Sequence, residues 1–380
     1  LGGSVVTFSG SETEDACLRG LTIQNGSAVY GGGIMGNGTL ACIERNIIQD
    51  NFSPVGGGGE GGDGGGIAYC HGLIQYNTVT GNRAYHKGGG LDRCHAIIRN
   101  NTVTLNISQD DGGGLYKCHG FIENNLIQNN STLGGGADGG GLDQCQGMIR
   151  ANTIRYNTAG EDGGGIHESM GYILDNLIEN NTASDDGGAI GYSKAVFRGN
   201  RMINNHAGKE GGALRRCYGT FENNLIQGNQ SGSRGGAVAE SRGVFRNNQV
   251  LDNTGHNFGG AFWDFRGIVE QNRFVANEVL DGTNEDDGDL VFDARGGAFA
   301  FCEGVFRNNT ITGNEALYSG GAFYSCLGVY HNNTLYANAV TIAGGTGGAF
   351  SDCQGPVRNC ILWQNSAGVM AELAGSDTPA

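Results

Sequence analysis

Two stretches 24 residues apart, GGGLDRCHAIIRNNTVTLN (88–106) and GGGLYKCHGFIENNLIQNN (112–130), repeat a fixed set of letters and vary the letters between them. The apolar residue that follows each Gly-Gly-Gly or Gly-Gly-Ala marks the period: Ile34, Ile67, Leu91, Leu115, Leu142, Ile166, Ile190, Leu214, Val238, Phe262, Phe299, Phe323 and Phe350. Most steps are 24 residues and the exceptions are 33, 27, 37 and 27, which makes 13 copies with occasional insertions. A partial copy, CLRGLTIQNGSA (17–28), precedes them. A repeat this short cannot bury an apolar face by itself, so successive copies must stack to make a shared interior.

Each copy carries two asparagine rows around an apolar row. Asn77, Asn101, Asn125 and Asn152 belong to the first row, and Asn82, Asn106, Asn130 and Asn157 to the second. Val79, Val103, Ile127, Ile154, Ile178, Met202 and Ile226 lie between them. Spacings of two or three residues fit strands and leave no stripe of helical period. The unit reads as three short strands separated by Gly- and Asn-bearing turns, wound into an all-β, single-stranded right-handed parallel β-helix of about 13 coils plus an N-terminal partial coil. Asn tolerates the left-handed corners that such turns need, and stacked amides can bond one another as a ladder. The repeated letters are those that must lie on identical letters.

Composition narrows the partners. There are 73 Gly but only 3 Pro and no Gly-X-Y period, which excludes collagen. A net charge of −15 with no basic cluster argues against nucleic acid, and the absence of a long apolar run argues against membrane insertion. The opening LGGSVVTFSG has no recognisable leader, so a processed or partial chain with flanking domains is expected.

The stretch GGAFAFCEGVFRNNTITGNEA (296–316) holds both GGA-[hydrophobic] and FxxN, as does GGAVAESRGVFRNN (235–248), and GGAFYSCLGVYHNNTLYANAV (320–340) matches with Tyr330 in the Phe position. This pattern resembles the polymorphic outer-membrane protein repeat over nearly the whole chain. It is also similar to the broad group of bacterial β-helix proteins that includes pectate-lyase-like enzymes. The resemblance implies a right-handed parallel β-helix on a secreted or surface-displayed protein.

Four rows offer chemistry. Cys70, Cys94, Cys118, Cys145, Cys217, Cys302, Cys326 and Cys353 form one, with Ser169, Ser193 and Ser241 as replacements and Phe265 as the large exception. Exchange with Ser predicts small, inward, stacked side chains; disulfides between adjacent coils, or between Cys353 and Cys360, are the alternative. His71, His95 and His119 align on three consecutive copies and could share a transition metal or simply be solvated. An acidic row of Asp111, Asp138, Asp162, Asp186 and Glu210 precedes the glycines. Stacked carboxylates repel, and calcium would relieve that; the insertion DGTNEDDGDLVFD, with Asp281, Asp286, Asp287 and Asp289, is a second calcium candidate. Finally, variable positions between the glycines and the Cys row are expected to face outward. They hold Asp92, Arg93, Tyr116, Lys117, Asp143, His167, Glu168, Arg215, Arg216, Trp263, Asp264 and Arg266. Of these, Tyr116, Trp263, Asp264, Arg215 and Arg216 are the candidate carbohydrate-binding set. No Ser-His-Asp, P-loop or HExxH arrangement appears, and no catalytic residue is assigned. Sequons such as those at Asn51 and Asn106 coincide with the inward asparagine rows, so glycosylation there is not expected.

The sequence therefore predicts one β-helix domain over 1–380: a partial coil at 1–30, regular coils over 31–367 with insertions near 52–63 and 281–293, and a tail at 368–380. Its expected role is an extracellular or cell-surface structural or adhesive element that associates with itself end to end. The alternative is a polysaccharide-binding or polysaccharide-modifying β-helix protein of the lyase or epimerase type.

Overall fold

A computed structural model describes residues 2–56, 61–283, 290–291 and 293–375. Every regular element among them is a strand. The chain gathers into two compact units, Leu1–Ser184 with Ser193–Ala195, and Asp185–Tyr192 with Val196–Ala380. Each is a right-handed parallel β-solenoid.

A turn of the first unit shows how the repeat folds. Its strands are Leu91–Asp92, Ala96–Arg99, Thr102–Thr104 and Ile107–Ser108. Each pairs in parallel with the strand 24 residues on, and the four positions build four sheets. The sequence predicted three strands per coil. The fourth, after the second Asn, is two residues long, too short for alternation to reveal it.

In the first unit the first sheet runs through seven strands, from Val6–Thr7 to Ile166–His167; in the second it runs through eight, from Ile190–Gly191 to Leu373–Ala374. Thirteen of these fifteen begin at the apolar residues counted above. The other two, Val6–Thr7 and Leu373–Ala374, follow Ser4-Val5 and Ala371-Glu372 and so lack the glycine mark.

Register matches the repeat. Val79 pairs with Val103, Val103 with Ile127 and Ile127 with Ile154, all fully buried. Each such aliphatic side chain contributes roughly 1.5–3 kcal/mol on burial. In the second unit the interior turns aromatic: the Phe299 and Phe323 rings stack at 4.6 Å, and those of Phe323 and Phe350 at 5.0 Å.

The asparagines form ladders in both rows. Oδ1 of Asn101 accepts from the backbone N–H of Asn77 at 2.9 Å and from its Nδ2 at 3.0 Å. Nδ2 of Asn101 donates to the Ile74 carbonyl at 2.9 Å and to Oδ1 of Asn125 at 3.1 Å. Asn106 repeats this geometry with Asn82, Val79 and Asn130. The left-handed residue at each corner is the one before the ladder asparagine: Asn100 at φ 54° and Leu105 at φ 57°. The ladder amide thus ties down a corner that its predecessor, even a leucine, is forced to make.

The Cys row is inward and stacked. All eleven cysteines, Cys353 and Cys360 included, are free thiols, so the disulfide alternative does not apply. The backbone N–H of Cys302 donates to the Cys326 sulfur at 3.3 Å, and that of Cys217 to Oγ of Ser241 at 3.0 Å. Sulfur and hydroxyl accept the same hydrogen bond, which explains why Ser substitutes for Cys. Burial pushes the Cys118 and Cys326 thiols well up, consistent with a packing role.

Candidate functional site

The outer face of the first sheet is a trough. The second residue of each two-residue strand points away from the core, and a left-handed corner lies on either side of it. On one side stands a glycine, such as Gly139 at φ 63° or Gly163 at φ 65°; on the other stands a residue such as Gln144 at φ 51° or Glu168 at φ 43°. A Cβ on Gly163 would lie 2.5 Å from that of His167, so glycine alone lets the acidic row fold over the strand. The consequence corrects the sequence expectation. Asp92, Tyr116, Asp143, His167 and Arg215 face away from the core yet are 0 to 4% exposed.

In the first unit this row is a polar stack. Arg93 Nη1 reaches Asp92 at 2.9 Å, Asp63 at 3.0 Å and the Tyr69 hydroxyl at 3.0 Å. Lys87 bridges Asp111 at 2.5 Å and the Tyr116 hydroxyl at 3.2 Å, and lies 4.8 Å over the Tyr116 ring. His167 Nδ1 sits 2.8 Å from Asp143 Oδ1 and 3.7 Å from Asp138 Oδ2. Burial pushes the Asp143 carboxyl up to about 6, against the pull of His167. Burial also opposes charge on His167, but its bond to Asp143 and the surrounding carboxylates outweigh that and raise it.

The acidic row is held by backbone groups rather than left open. Asp138 N–H donates to Asp111 at 3.2 Å, Asp162 N–H to Asp138 at 3.0 Å, and Glu210 N–H to Asp186 at 3.1 Å. In the second unit Arg215 gathers three carboxylates: Glu210 at 2.6 Å, Glu240 at 2.6 Å and Asp186 at 3.2 Å. Arg216 shares Glu240 at 2.7 Å. Burial lifts Glu210 to about 7 despite Arg215, whereas the two arginines hold Glu240 down against its own burial. Arg215 and Arg216 are thus engaged by carboxylates, and neither is among the residues that line the cleft described next.

Trp263 and Asp264 stand at a cleft of ≈ 470 Å³ in the second unit, lined with Arg234, Phe258, Arg266 and Phe301. Trp263 pairs in register with Ala239 on one side and Ala300 on the other, so its ring has no bulky neighbour in its own row. Arg234 lies 4.8 Å over the Trp263 ring, Phe258 and Phe301 meet edge-on at 5.0 Å, and Arg266 donates to Asp264 at 3.0 Å. Sequence reasoning missed Phe258 and Phe301. They occupy the two rows that carry charges in other copies, and that local switch from charged to aromatic was the available signal. Tyr116, the remaining carbohydrate candidate, belongs to the first unit and is buried under Lys87.

Among the described residues two further groups could hold a cation: Cys17, Cys42 and Glu44, and Asp138, Asp162 and His167. Asp281 accepts from the Tyr318 hydroxyl at 3.0 Å; its partners in the calcium expectation, Asp286, Asp287 and Asp289, lie outside the described residues. His71, His95 and His119 do stack, with ring centroids 4.9 and 4.7 Å apart. Burial and the neighbouring imidazole both lower His95 and His119 from the usual 6.5. A lowered histidine favours the neutral form in the folded state, so its contribution is present above the unfolded value and lost as pH falls. Histidine Cε1 shifts followed by NMR are expected to titrate below pH 6.5 for both residues; a midpoint at or above 6.5 for either contradicts the stacking account.

Comparison with known proteins finds no matching family model, no matching curated protein and no matching solved structure.

Proposed function

We propose that this chain is an extracellular, non-catalytic β-solenoid scaffold that adheres to neutral polysaccharide through the second-unit cleft. The observation that carries the reading is the gap left by Ala239 and Ala300 on either side of Trp263. A pyranose ring has an apolar face that stacks on an aromatic one, and Asp264 with Arg234 and Arg266 supplies acceptors and donors for the hydroxyls at the rim. A net charge of −15 repels polyanions, which favours uncharged chains as ligands. The likeness of the GGA and FxxN pattern to the polymorphic outer-membrane protein repeat supports a surface location. The reading assigns no catalytic residue, because the Asp143–His167 pair is buried beyond the reach of a polymer.

Titration with a panel of soluble neutral polysaccharides, read by isothermal calorimetry, tests this. Trp263→Ala is expected to weaken binding by about 2 kcal/mol, roughly 30-fold. Binding that survives Trp263→Ala unchanged, or no binding across the panel, overturns the proposal. The same reading includes axial association between copies, since the strand edges of a solenoid carry unpaired N–H and C=O groups. Sedimentation velocity over a concentration series tests that, and a monomer boundary throughout contradicts it.

A further inference from the structure

The trough of the first unit gathers three carboxylates around one imidazole, independently of the cleft. We propose that His167, Asp143, Asp138 and Asp162 form a binding site for a single divalent transition-metal ion of the zinc class.

The placement follows from register. Asp143 and His167 are partners on adjacent turns, so their side chains rise side by side. Asp138 and Asp162 stand five residues before each, on the far side of the glycine corners, and fold back over them. His167 Nδ1 lies 2.8 Å from Asp143 Oδ1 and 3.7 Å from Asp138 Oδ2, and ligand atoms of Asp138, Asp162 and His167 all fall within 4.8 Å of one another. An ion with bonds of about 2.0–2.2 Å to nitrogen and oxygen sets its ligand atoms roughly 3–3.5 Å apart. The two distances from Nδ1 bracket that range, and an Asp162 oxygen lies within 4.8 Å of the ligand atoms of both His167 and Asp138.

A second observation points to a ligand. Asp143 is 0% exposed, one oxygen faces His167, and its Oδ2 has no hydrogen-bond partner. A fully buried carboxylate oxygen left orphaned is costly, and a cation bound by this carboxylate would satisfy it. Three carboxylates beside an imidazole supply the charge that a dication neutralises. The nitrogen ligand selects among cations: calcium takes oxygen, whereas zinc accepts imidazole with carboxylates.

The test uses the full chain after dialysis against chelator, titrated with Zn²⁺ alone by calorimetry, with the His167 ring nitrogens followed by NMR. One equivalent is expected, with a shift at His167. Asp162→Asn, at a side chain that is not fully buried, should weaken this binding about tenfold or more, and His167→Gln should abolish it. Cys42→Ser should leave it intact, which separates it from the Cys17, Cys42 and Glu44 group. Three results overturn the proposal: equal zinc affinity in wild type and Asp162→Asn, zinc uptake that disappears with Cys42→Ser, or calcium binding more tightly than zinc. Should His167→Gln fail to fold, Asp162→Asn and the His167 signal decide.

Discussion

Replacing Arg215 with Met is expected to lower the unfolding free energy by roughly 3–5 kcal/mol, the cost of breaking a buried ion cluster by removing its cation. Arg215 is 4% exposed and within 3.2 Å of carboxylate oxygens on Asp186, Glu210 and Glu240. Met fills similar volume, so the loss is electrostatic rather than a cavity. Its pH dependence identifies it. Glu210 in the native protein is already lifted to about 7 from 4.5, mainly by burial. A carboxyl raised in the folded state is tolerated while protonated, and stability is lost as pH rises through the folded value. Without Arg215 that loss should steepen, so the variant should be closest to wild type near pH 5 and furthest near pH 8. Urea denaturation at the two pH values checks this; an equal deficit at both contradicts the cluster.

Asn101→Ala is expected to cost about 2–4 kcal/mol, whereas Asn100→Gly, one residue earlier, should fall within about 0.5 kcal/mol of wild type. The two asparagines look alike in sequence and differ entirely in role. Removing the Asn101 amide strands the backbone N–H of Asn77, which is buried, and takes a donor from the Ile74 carbonyl. Asn100 only makes a left-handed corner at φ 54°, which glycine makes more easily. Asn101→Asp keeps the acceptor but loses both donated bonds and buries a charge, so it should be worse than alanine at neutral pH and recover on acidification. Comparable effects from Asn100 and Asn101 substitutions would remove the ladder from the account.

These contrasts mark what the sequence could and could not show. Stacked rows were legible because a position that lies on its own equivalent keeps its chemistry: Val79, Val103 and Ile127, the two Asn rows, and Cys with Ser. The burial of Asp92, Asp143 and Arg215 was not legible. Alternation places them opposite the core, and nothing in a one-dimensional pattern says that the corners at Gly139, Gly163 and their partners tilt neighbouring rows over them. The cleft was half legible. Trp263 and Asp264 stood out as large or charged residues, but the cavity depends equally on what is small, at Ala239 and Ala300, and on Phe258 and Phe301 displacing charges. Reading a site in a repeat therefore needs each row compared with itself, with attention to where it becomes smaller.

Methyl NOEs in the deuterated, methyl-labelled protein test the central claim that residues 24 or 27 apart lie directly on one another. The structure predicts strong contacts from Val79 to Val103, from Val103 to Ile127 and from Ile127 to Ile154, each within one row, and none from Val79 to Ile154. Absence of the Val79–Val103 contact, or Val79 and Val103 packed into separate clusters, would contradict it.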